Sequence, residues 1–575
     1  MIKKNLFVKK TSARFMALLL TTTLLLTGCG KSDDKKTPTS GQEQVKQEET
    51  TPEIKLEGEK IPAQLQTTLN VIDDKYRNYY EIFVASFCDS NGDGMGDLQG
   101  LISKLDYIND GDDSTDTDLG CNGIWLMPIS PSASYHKYDV MDYKAIDSAY
   151  GTMDDFKQLL EECNKRGIDV VIDLVMNHSS IAHPWFKAAR DYLKELPDGQ
   201  EPNAEECKYI NYYTFAKGQP LGNYYQVAGT DDYYYEGMFS QQMPDLNLDN
   251  PDVRAEFEEI VKFWLDMGVS GFRLDAAKEY FSGDTAKNVE VLTWFNNYVK
   301  SVNPDAYIVA ETWCSDYARY TESGIDSAFD FGYSSFDGNI SLVTKGADKT
   351  YCGSYFAKCL LDTQEELNEY SETAISAVFL GNHDLDRTAH YLAFEEDKIK
   401  FAHGLLGIMN GCTYIYYGDE IGIGGSGADE NKRSPMIWSA TDKTGECKGP
   451  VNMDKNYVIN KFESVEEQNK NDKSILSYIK QSVKLRNIFP EIARGNMEAV
   501  SDVTDDDICA ISKTYNDSKI IILANANSKE TKTVTLSRES NGYTCIQGML
   551  NVGEQEAYQV EDTIVLPPYS IVILK

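Results

Sequence analysis

The chain has 575 residues, of which 41% are hydrophobic, and this size and composition predict two to four folded domains with buried cores. It carries 91 Asp and Glu against 55 Lys and Arg, so its formal net charge is −36. This charge argues against a nucleic-acid-binding protein, because phosphates require a basic surface, and it suits a secreted, soluble protein with a neutral ligand.

The N-terminus has the pattern of an export signal. A basic leader precedes the apolar run FMALLLTTTLLLTG, which is too short to span a membrane. The run ends in LTGC at Cys29, which resembles the bacterial lipobox, in which the cysteine is lipidated and becomes the first mature residue. We therefore predict a signal peptide over residues 1–28 and a lipid anchor that holds the protein on the outer side of the bacterial cell membrane. A plain cleaved signal with a chance cysteine is the alternative.

Residues 29–65 are rich in Lys, Glu, Gln, Thr, Ser and Pro. Such a polar segment buries too little apolar surface to fold, so it is predicted to be a disordered tether. The cysteines after Cys29 form no CxxC pair, which favours buried free thiols, although export permits a disulfide or two. Cys352 and Cys359 are the candidate pair.

From residue 79 onward, short apolar runs alternate with amphipathic stretches. Predicted strands cover 79–87, 123–129, 170–175, 271–276, 307–312, 327–331, 374–381 and 413–422, and 327–331 is the weakest of them. Predicted helices between them include 98–108, 154–167, 253–268 and 289–302. An alternation repeated about eight times predicts a parallel sheet closed as a (β/α)8 barrel, which carries its chemistry at the C-terminal ends of the strands.

Two segments depart from this alternation. Residues 179–248 are loop-like and rich in tyrosine, and they are predicted to form an inserted domain B whose aromatic rings either bind sugar or form a small core. Short alternating runs predict a C-terminal antiparallel β-sandwich over 493–575. The barrel then comprises residues 66–178 and 249–492.

The stretch GFRLDAAKE, residues 271–279, places charge inside an apolar strand. Arg273 and Asp275 are two residues apart, so their side chains point to the same face. Burying charge is costly unless it is paired, which leaves either a structural ion pair or a functional site.

Three further strands also end in polar residues. DLVMNH ends in Asn177 and His178, VAET contains Glu311, and FLGNHD ends in His383 and Asp384. Because the C-terminal ends of barrel strands meet on one rim, these residues are predicted to converge.

In this order, the four segments resemble the main conserved regions of the α-amylase family, glycoside hydrolase family 13. GIWLMPISPS (123–132) and GDEIG (418–422) resemble supporting regions of that family. MPDLN (243–247) resembles the version in the intermediary subfamily, between oligo-1,6-glucosidases and neopullulanases, which includes lipoprotein α-amylases.

The resemblance implies a retaining glycosidase. Asp275 would be the nucleophile, Glu311 the general acid/base, and Asp384 the residue that holds the sugar hydroxyls and stabilises the transition state. Arg273 would keep Asp275 ionised, and the anionic Asp275 together with partial desolvation would raise the pKa of Glu311. The other residues that the resemblance places around the sugar are Tyr138, His178, Lys278 and His383, with Asp139 and Arg387 as neighbours.

The loop DSNGDGMGD (89–97) is a candidate metal site. Its oxygen donors alternate along the chain: Asp89, Asn91, Asp93, the Met95 carbonyl and Asp97. Hard oxygens in this number suit Ca²⁺, and the alternative is a simple turn. The second calcium site of many α-amylases uses an Asn equivalent to Asn177, but this chain has Glu279 where that site uses a His carbonyl.

We expect an endo-acting α-amylase, monomeric, that acts on starch and maltodextrins. The alternatives are a neopullulanase, cyclomaltodextrinase or oligo-1,6-glucosidase, a sugar-transferring enzyme with the same residues, and a carbohydrate-binding lipoprotein without activity.

Overall fold

The structure, a computed structural model, describes Ile54 and residues 56–112, 114–115, 117–346 and 350–575. Residues Glu57–Lys575 form one compact unit. The predicted signal peptide, the lipidation site at Cys29 and most of the predicted tether lie outside the described residues. Within the described residues, no helix combines the length and the apolar character that crossing a membrane requires.

The described residues form β-strands that are numbered here in chain order: β1 (Lys60–Ile61), β2 (Asn78–Ile82), β3 (Gly123–Leu126), β4 (Asp169–Leu174), β5 (Phe215–Lys217), β6 (Tyr224–Gln226), β7 (Tyr233–Glu236), β8 (Gly271–Leu274), β9 (Tyr307–Ala310), β10 (Ser327–Asp330), β11 (Ala377–Phe379), β12 (Cys412–Tyr416), β13 (Asn496–Ala499), β14 (Ile508–Tyr515), β15 (Ser518–Asn525), β16 (Lys532–Thr535), β17 (Ile546–Asn551), β18 (Tyr558–Val560), β19 (Thr563–Leu566) and β20 (Ser570–Leu574).

The α-helices are α1 (Leu98–Ile102), α2 (Leu105–Ile108), α3 (Met153–Lys165), α4 (Pro184–Glu195), α5 (Pro251–Met267), α6 (Thr285–Val302), α7 (Asn339–Lys345), α8 (Gly353–Tyr370), α9 (Thr388–Tyr391), α10 (Glu396–Gly407), α11 (Asp429–Lys432), α12 (Val465–Gln468), α13 (Ile475–Ile488), α14 (Pro490–Arg494) and α15 (Arg538–Asn541).

Eight parallel strands close the predicted barrel, in the order β2-β3-β4-β8-β9-β10-β11-β12. The (β/α)8 fold is therefore confirmed, including the sixth strand, β10, which the sequence supports least. Apart from β4, which has its predicted length, the barrel strands are shorter than predicted, because apolar runs continue beyond the sheet. The predicted strand 79–87, for example, ends as a strand at Ile82 and continues as a 3₁₀ turn over Val84–Ser86.

Helix α5 and strand β8 show how local sequence delivers the site. Helix α5 begins after the Asn250 cap, buries one apolar face, and ends at Gly268, whose φ of 108° favours glycine. At the start of β8, a Cβ on Gly271 would lie 2.0 Å from the Tyr307 carbonyl oxygen of β9. Glycine therefore lets β8 and β9 approach closely, and these two strands lead to Asp275 and Glu311.

The segment after β4 contains α4 and a three-stranded antiparallel sheet of order β5-β7-β6. The ring of Phe186 on α4 contacts those of Tyr213 at 5.1 Å and Tyr235 at 4.8 Å between centroids. Part of the tyrosine-rich sequence thus packs together, in a hydrophobic cluster that is continuous with that of the barrel.

The C-terminal residues form two antiparallel sheets, one of order β13-β14-β15-β20-β17 and one of order β1-β18-β19-β16. The presence of β1 corrects the predicted tether, which extends too far at residue 65. Lys60 pairs with Val560 and Ile61 pairs with Gln559, so these two residues complete the edge of a sheet. The sequence around residues 60–61 is polar and has no strand pattern. The pairing could not be predicted, because the partner strand lies about five hundred residues away.

All cysteines in the described part of the chain are free thiols, and most are buried. The candidate bridge between Cys352 and Cys359 is therefore wrong. Cys352 lies immediately before the first residue of α8 and Cys359 lies within that helix.

Candidate active site

Arg273 lies at the centre of a group of carboxylates at the C-terminal end of β8. Its side chain is fully buried, and Nη1 donates to Asp173 Oδ1 at 2.8 Å and to Asp275 Oδ1 at 2.7 Å. Nη2 donates to Glu311 Oε2 at 2.7 Å. Arg273 and Asp275 thus share a face as their spacing predicts, and the same guanidinium also binds the carboxylate that follows β9.

The turn after β8 holds Glu311 in place. Ala276 N donates to Glu311 Oε2 at 3.0 Å, and Ala277 N donates to the Glu311 carbonyl at 2.9 Å. Ala276 has a φ of 47°, which is uncommon for a residue with a Cβ. The turn therefore adopts a strained conformation directly after Asp275 and aims a backbone donor at the neighbouring carboxylate.

A second group of side chains surrounds Asp384. His383 Nε2 lies 3.1 Å from Asp384 Oδ2 and 2.7 Å from the Tyr138 hydroxyl. Arg433 Nη2 donates to Asp384 Oδ1 at 2.9 Å. Each oxygen of Asp384 thus faces a cationic or hydrogen-bonding group, while 27% of its side chain is exposed.

One cavity of about 560 Å³ joins these groups. It is lined by five carboxylates, by aromatic side chains and by other polar and apolar groups: Asp275, Glu311, Asp384, Glu279, Asp429, Tyr138, His136, His178, Trp313, Phe239, Ser240, Met243, Ala276, Lys278, Thr312 and Arg433. A cavity with few convergent polar groups and aromatic walls is typical of a small-molecule or sugar site.

Burial and charge set the protonation of these groups. Burial raises the pKa of Glu311, and it also raises the pKa of Asp275 although Arg273 acts in the opposite direction. Burial alone would raise the pKa of Asp384, but His383 and Arg433 lower it well below its ordinary value. The cavity therefore contains carboxyls of different proton affinity, as acid/base chemistry requires.

The predicted residues fall into three positions relative to the cavity. Asp275, Glu311, Asp384, Tyr138, His178 and Lys278 line it, whereas Arg273 and His383 are buried and bind lining residues.

Asp139 and Arg387 do not line the cavity. Asp139 accepts hydrogen bonds from the hydroxyls of Ser132 and Ser134. Arg387 donates to the Lys432 carbonyl at 2.8 Å and to Asp419 at 3.1 Å. Both side chains stabilise the loops that surround the site.

Several lining or supporting residues were missed in the sequence. Glu81 had a signal, because it is a lone charge inside the apolar strand YYEIF. Trp313 follows Glu311 by two residues, and it is 46% exposed and stacked on Phe331 at 4.7 Å. Arg433 had no signal in the sequence, because it lies in a loop with no strand or motif beside it.

The loop 89–97 supplies only oxygen donors, which fits Ca²⁺ chemically. Asp89 and Asp97 are buried, and Asp89 accepts from Gly92 N at 2.7 Å and from Gly94 N at 2.6 Å. Lys448 Nζ also contacts the loop, donating to the Asp93 carbonyl at 2.7 Å. Among the residues the structure describes, no three His, Cys, Asp or Glu side chains are grouped as metal ligands.

At the position of the second family calcium site, Asn177 Nδ2 donates to Asp245 Oδ1 at 3.2 Å. Burial raises the pKa of Asp245 to about 7. Glu279 lines the cavity, where its carboxylate lies 3.2 Å from Lys278 Nζ.

Comparisons with known proteins agree with this geometry. Residues 81–495 match the family model described as the α-amylase catalytic domain. The chain is 34% identical over 514 residues to α-amylase 3 of Dictyoglomus thermophilum, covering 87% of this chain and 93% of that protein. It is 30% identical over 535 residues to an oligo-1,6-glucosidase of Parageobacillus thermoglucosidasius, covering 78% and 90%. The solved structure of Eubacterium rectale Amy13B is 44% identical and covers 88% of this chain and 96% of its own, with a TM-score of 0.84.

Proposed function

The chain belongs to the α-amylase family of glycoside hydrolases, and from this membership we propose that it is a retaining, endo-acting α-amylase. Its substrates are the α-1,4-glucosidic bonds of starch and maltooligosaccharides. The observation that carries the proposal is the arrangement around Arg273, which binds Asp275 and Glu311 on adjacent strands while Asp384 faces the same cavity.

Asp275 is the proposed nucleophile. Its carboxylate attacks the anomeric carbon and forms a covalent glycosyl-enzyme, while the bond to the leaving-group oxygen breaks. The hydrogen bond from Arg273 at 2.7 Å favours the anionic form that attack requires. Because burial works against that form, Arg273 is what keeps Asp275 reactive.

Glu311 is the proposed general acid/base. Burial raises its pKa, so it retains the proton that it gives to the departing oxygen. In the second step Glu311 takes a proton from water, which attacks the anomeric carbon and releases Asp275. Asp384 stays ionised beside His383 and Arg433, and it accepts hydrogen bonds from the sugar hydroxyls.

The aromatic walls of the cavity support a long α-glucan as the substrate. Trp313 and Phe239 are about half exposed on the cavity, where flat rings pack against successive sugar rings of a chain. The full-length similarity to an α-amylase supports the same substrate. The second candidate is an oligo-1,6-glucosidase, which the similarity to that enzyme favours. A binding protein without activity would not need Asp275, Glu311 and Asp384 together in these protonation states.

The test is a product profile at early times on amylose, pullulan, cyclodextrin and isomaltose. We expect oligomers of intermediate length from amylose and little release from isomaltose. Rapid cleavage of isomaltose with slow attack on amylose would contradict the endo-amylase proposal and favour the second candidate.

We also propose that the loop 89–97 binds Ca²⁺ through Asp89, Asn91, Asp93, the Met95 carbonyl and Asp97. The support is the oxygen-only donor set and the family, whose members commonly bind calcium. A bound ion would stabilise the fold of this loop at the barrel edge. It takes no part in the chemical steps derived above.

The anchor at Cys29 and a monomeric state are proposals that rest on the sequence. For the anchor, Cys29→Ser removes the thiol to which the lipid attaches, so we expect the protein to move from the membrane fraction into the medium. Immunoblots of the two fractions measure this, with a serine substitution at Cys207 as the matched control. A Cys29→Ser protein that stays with the membrane would contradict the lipobox interpretation.

A further inference from the structure

Glu81 is a buried carboxylate that the mechanism above does not use. It lies on β2 and is 1% exposed, and its Oε1 is 2.6 Å from Nδ1 of His383, which is fully buried. The same oxygen is 3.4 Å from the backbone N of His383. Glu81 therefore binds both the ring and the main chain of the residue that precedes Asp384.

The hydrogen bonds of His383 determine how many protons its ring carries. Nδ1 faces the Glu81 carboxylate, and Nε2 faces the Tyr138 hydroxyl and Asp384 Oδ2. A neutral imidazole has one donor and one acceptor nitrogen, whereas here carboxylates lie at both ends of the ring. The Tyr138 hydroxyl can give its own proton to Asp173 Oδ2 at 3.1 Å, so it is free to accept from His383.

Charged groups on every neighbouring element act on this ring. Anions are Glu81 on β2, Asp173 on β4, Asp275 after β8 and Asp384 beside the ring, and cations are Arg273 on β8 and Arg433 after α11. The ring of Trp125 on β3 packs edge-on against His383 at 5.7 Å. The carboxylates outnumber the two guanidinium groups, so a third cation lowers the electrostatic energy of the site.

We propose that Glu81 is a positioning residue that keeps His383 as a doubly protonated imidazolium, so that His383 donates to Asp384 and Tyr138 on the cavity wall. This role rests on the proposed function, because it matters through the sugar contacts of Asp384. Burial works against the cation, but Asp384 and Glu81 together raise the pKa of His383 to about 9.

The consequence is that a charge near the C-terminal end of β2 acts on the cavity through His383. Without the Glu81 charge, His383 loses one of its two ring protons near neutral pH, and in the tautomer that keeps the remaining proton on Nδ1 the Nε2 atom no longer donates. Asp384 Oδ2 then loses its donor, and the Tyr138 hydroxyl loses the group that orients it. The positions of both lining residues thus depend on a carboxylate that does not line the cavity.

The experiment compares the wild-type protein with Glu81→Gln and Glu81→Asp by NMR of ¹⁵N-labelled histidine, which is practical because the chain has 6 histidines. Glu81→Gln keeps an acceptor of the same size without the charge. Glu420→Gln is the matched control, because Glu420 is a buried glutamate that accepts from Tyr80 at 2.6 Å, away from His383.

In the wild type and in the control, we expect one histidine to carry two ring protons at pH 7.5. In Glu81→Gln the titration midpoint of His383 should fall by about two pH units. In Glu81→Asp, which keeps the negative charge, the midpoint should stay close to that of the wild type. A neutral His383 in the wild type at pH 7.5, or an unchanged midpoint in Glu81→Gln, would overturn the proposal.

Kinetics on maltooligosaccharides provide the second measurement. We expect kcat of Glu81→Gln to fall at least about tenfold with little change in KM, and its alkaline limb to move to lower pH. A purely structural role would lower the melting temperature without moving that limb. If the wild type does not hydrolyse α-glucans, the proposed function fails, while the NMR measurement still decides the state of His383.

Discussion

The Arg273 side chain offsets the energetic cost of burying several carboxylates close together. Its guanidinium binds Asp173, Asp275 and Glu311, whose side chains are at most 11% exposed. Removing one partner of such a pair leaves an uncompensated charge at a cost of roughly 3–5 kcal/mol. At Arg273 the cost of removing one carboxylate is smaller, because the other two remain bound to its guanidinium.

This arrangement allows the nucleophile to be tested without losing the fold. Asp275→Asn keeps the side-chain volume and leaves Arg273 bound to Asp173 and Glu311. We expect kcat on maltoheptaose to fall by at least about a thousandfold, because the amide cannot form the glycosyl-enzyme.

Initial rates measure the loss, and circular dichroism of the same sample checks the fold. Asp305→Asn, which changes an exposed aspartate in a loop, is the matched control. Appreciable turnover by a folded, homogeneous Asp275→Asn protein would rule out Asp275 as the nucleophile.

The residues of the site differ in how visible they are in the sequence. Asp275, Glu311 and Asp384 each follow a recognisable apolar run, so strand position alone predicts that they converge. Arg433 reaches Asp384 from a loop, and only the folded path of the chain places it there. Arg387 shows the reverse error, because proximity in sequence to Asp384 does not put its side chain in the cavity.

Among the elements, the loop 89–97 joins a candidate metal site to a helix. Asp97 Oδ1 accepts from Gly100 N at 2.7 Å and caps α1, while Oδ2 accepts from Ser90 N at 3.0 Å. A substitution at Asp97 would therefore remove a cap and a metal ligand together. Asp93 is the better probe, because it is exposed and caps no helix.

Removal of metal should lower the stability of the protein through this loop. We expect a chelator to lower the melting temperature of the wild type by several degrees, because a cation that binds only the folded loop stabilises it by mass action. Asp93→Asn keeps the acceptor for Met95 N but removes one charge, so it should melt lower with calcium and respond less to the chelator.

Differential scanning calorimetry with and without added calcium makes the measurement, and magnesium serves as the control cation. An identical melting temperature after complete removal of metal would exclude calcium binding at this loop.

Strand β1 is a second element with a measurable effect. Besides its two residue pairs with β18, the backbone N of Glu561 donates to the Glu59 carbonyl at 2.9 Å. A chain that begins at residue 63 should unfold with about 1–2 kcal/mol less free energy than a chain that begins at residue 57, because these bonds are lost and the edge of β18 is exposed.

Urea denaturation of the two chains measures the difference. The chain that begins at residue 57 is the matched control, since it keeps β1 and lacks the same upstream residues. Equal midpoints and slopes for the two chains would show that β1 contributes nothing to stability.

Strand lengths show where sequence patterns stop being informative. Apolar alternation identifies each barrel strand, but it does not distinguish residues in the sheet from residues that pack beneath a helix just beyond it. Phe83 and Phe87 are as buried as β2 itself, yet both lie beyond the end of the strand, where Phe83 packs against Tyr135 and Phe87 against Trp438. Burial was therefore predictable, whereas hydrogen bonding was not.

For the whole molecule, buried carboxyls predict how stability depends on pH. Burial raises the pKa of Asp173 and Asp245 to about 7 and that of Asp330 to about 6. Between about pH 4 and pH 7 the folded state thus binds more protons than the unfolded state, and the free energy of unfolding falls as pH rises. His383, with its raised pKa, contributes stability that is lost as pH rises through about 9.

The buried carboxyls and His383 both make the free energy of unfolding fall as pH rises. Electrostatic repulsion within a chain of net charge −36 acts in the same direction. We expect the melting temperature at pH 8 to be about 5 °C lower than at pH 5.5, at constant ionic strength and calcium. Asp330→Asn, which keeps an acceptor for Gly332 N, should reduce that dependence. A melting temperature that rises from pH 5.5 to pH 8 would contradict the assignment of raised pKa values.

The overall architecture was largely predictable because local pattern and global fold agree over eight successive strand and helix units. The contact of residues 60–61 with the C-terminal sheet was not, because no local pattern encodes a pairing between the two ends of the compact unit. The same limit applies to Glu81 on β2 and His383 after β11, which meet although they are 302 residues apart in sequence.

Strand β1 also determines which contacts are strained first when the N-terminal end of the chain is pulled. Tension on the chain ahead of residue 60 acts first on the two pairs between β1 and β18, at the edge of the C-terminal sandwich. The bonds from Gln64 N to the Ile546 carbonyl and from Gln66 N to the Gln547 carbonyl, each 2.9 Å, come next along the chain, so the C-terminal sheets are loaded before barrel strand β2. When the chain is pulled by its N-terminal end, these contacts would thus be strained before the distance between Asp275 and Glu311 changes.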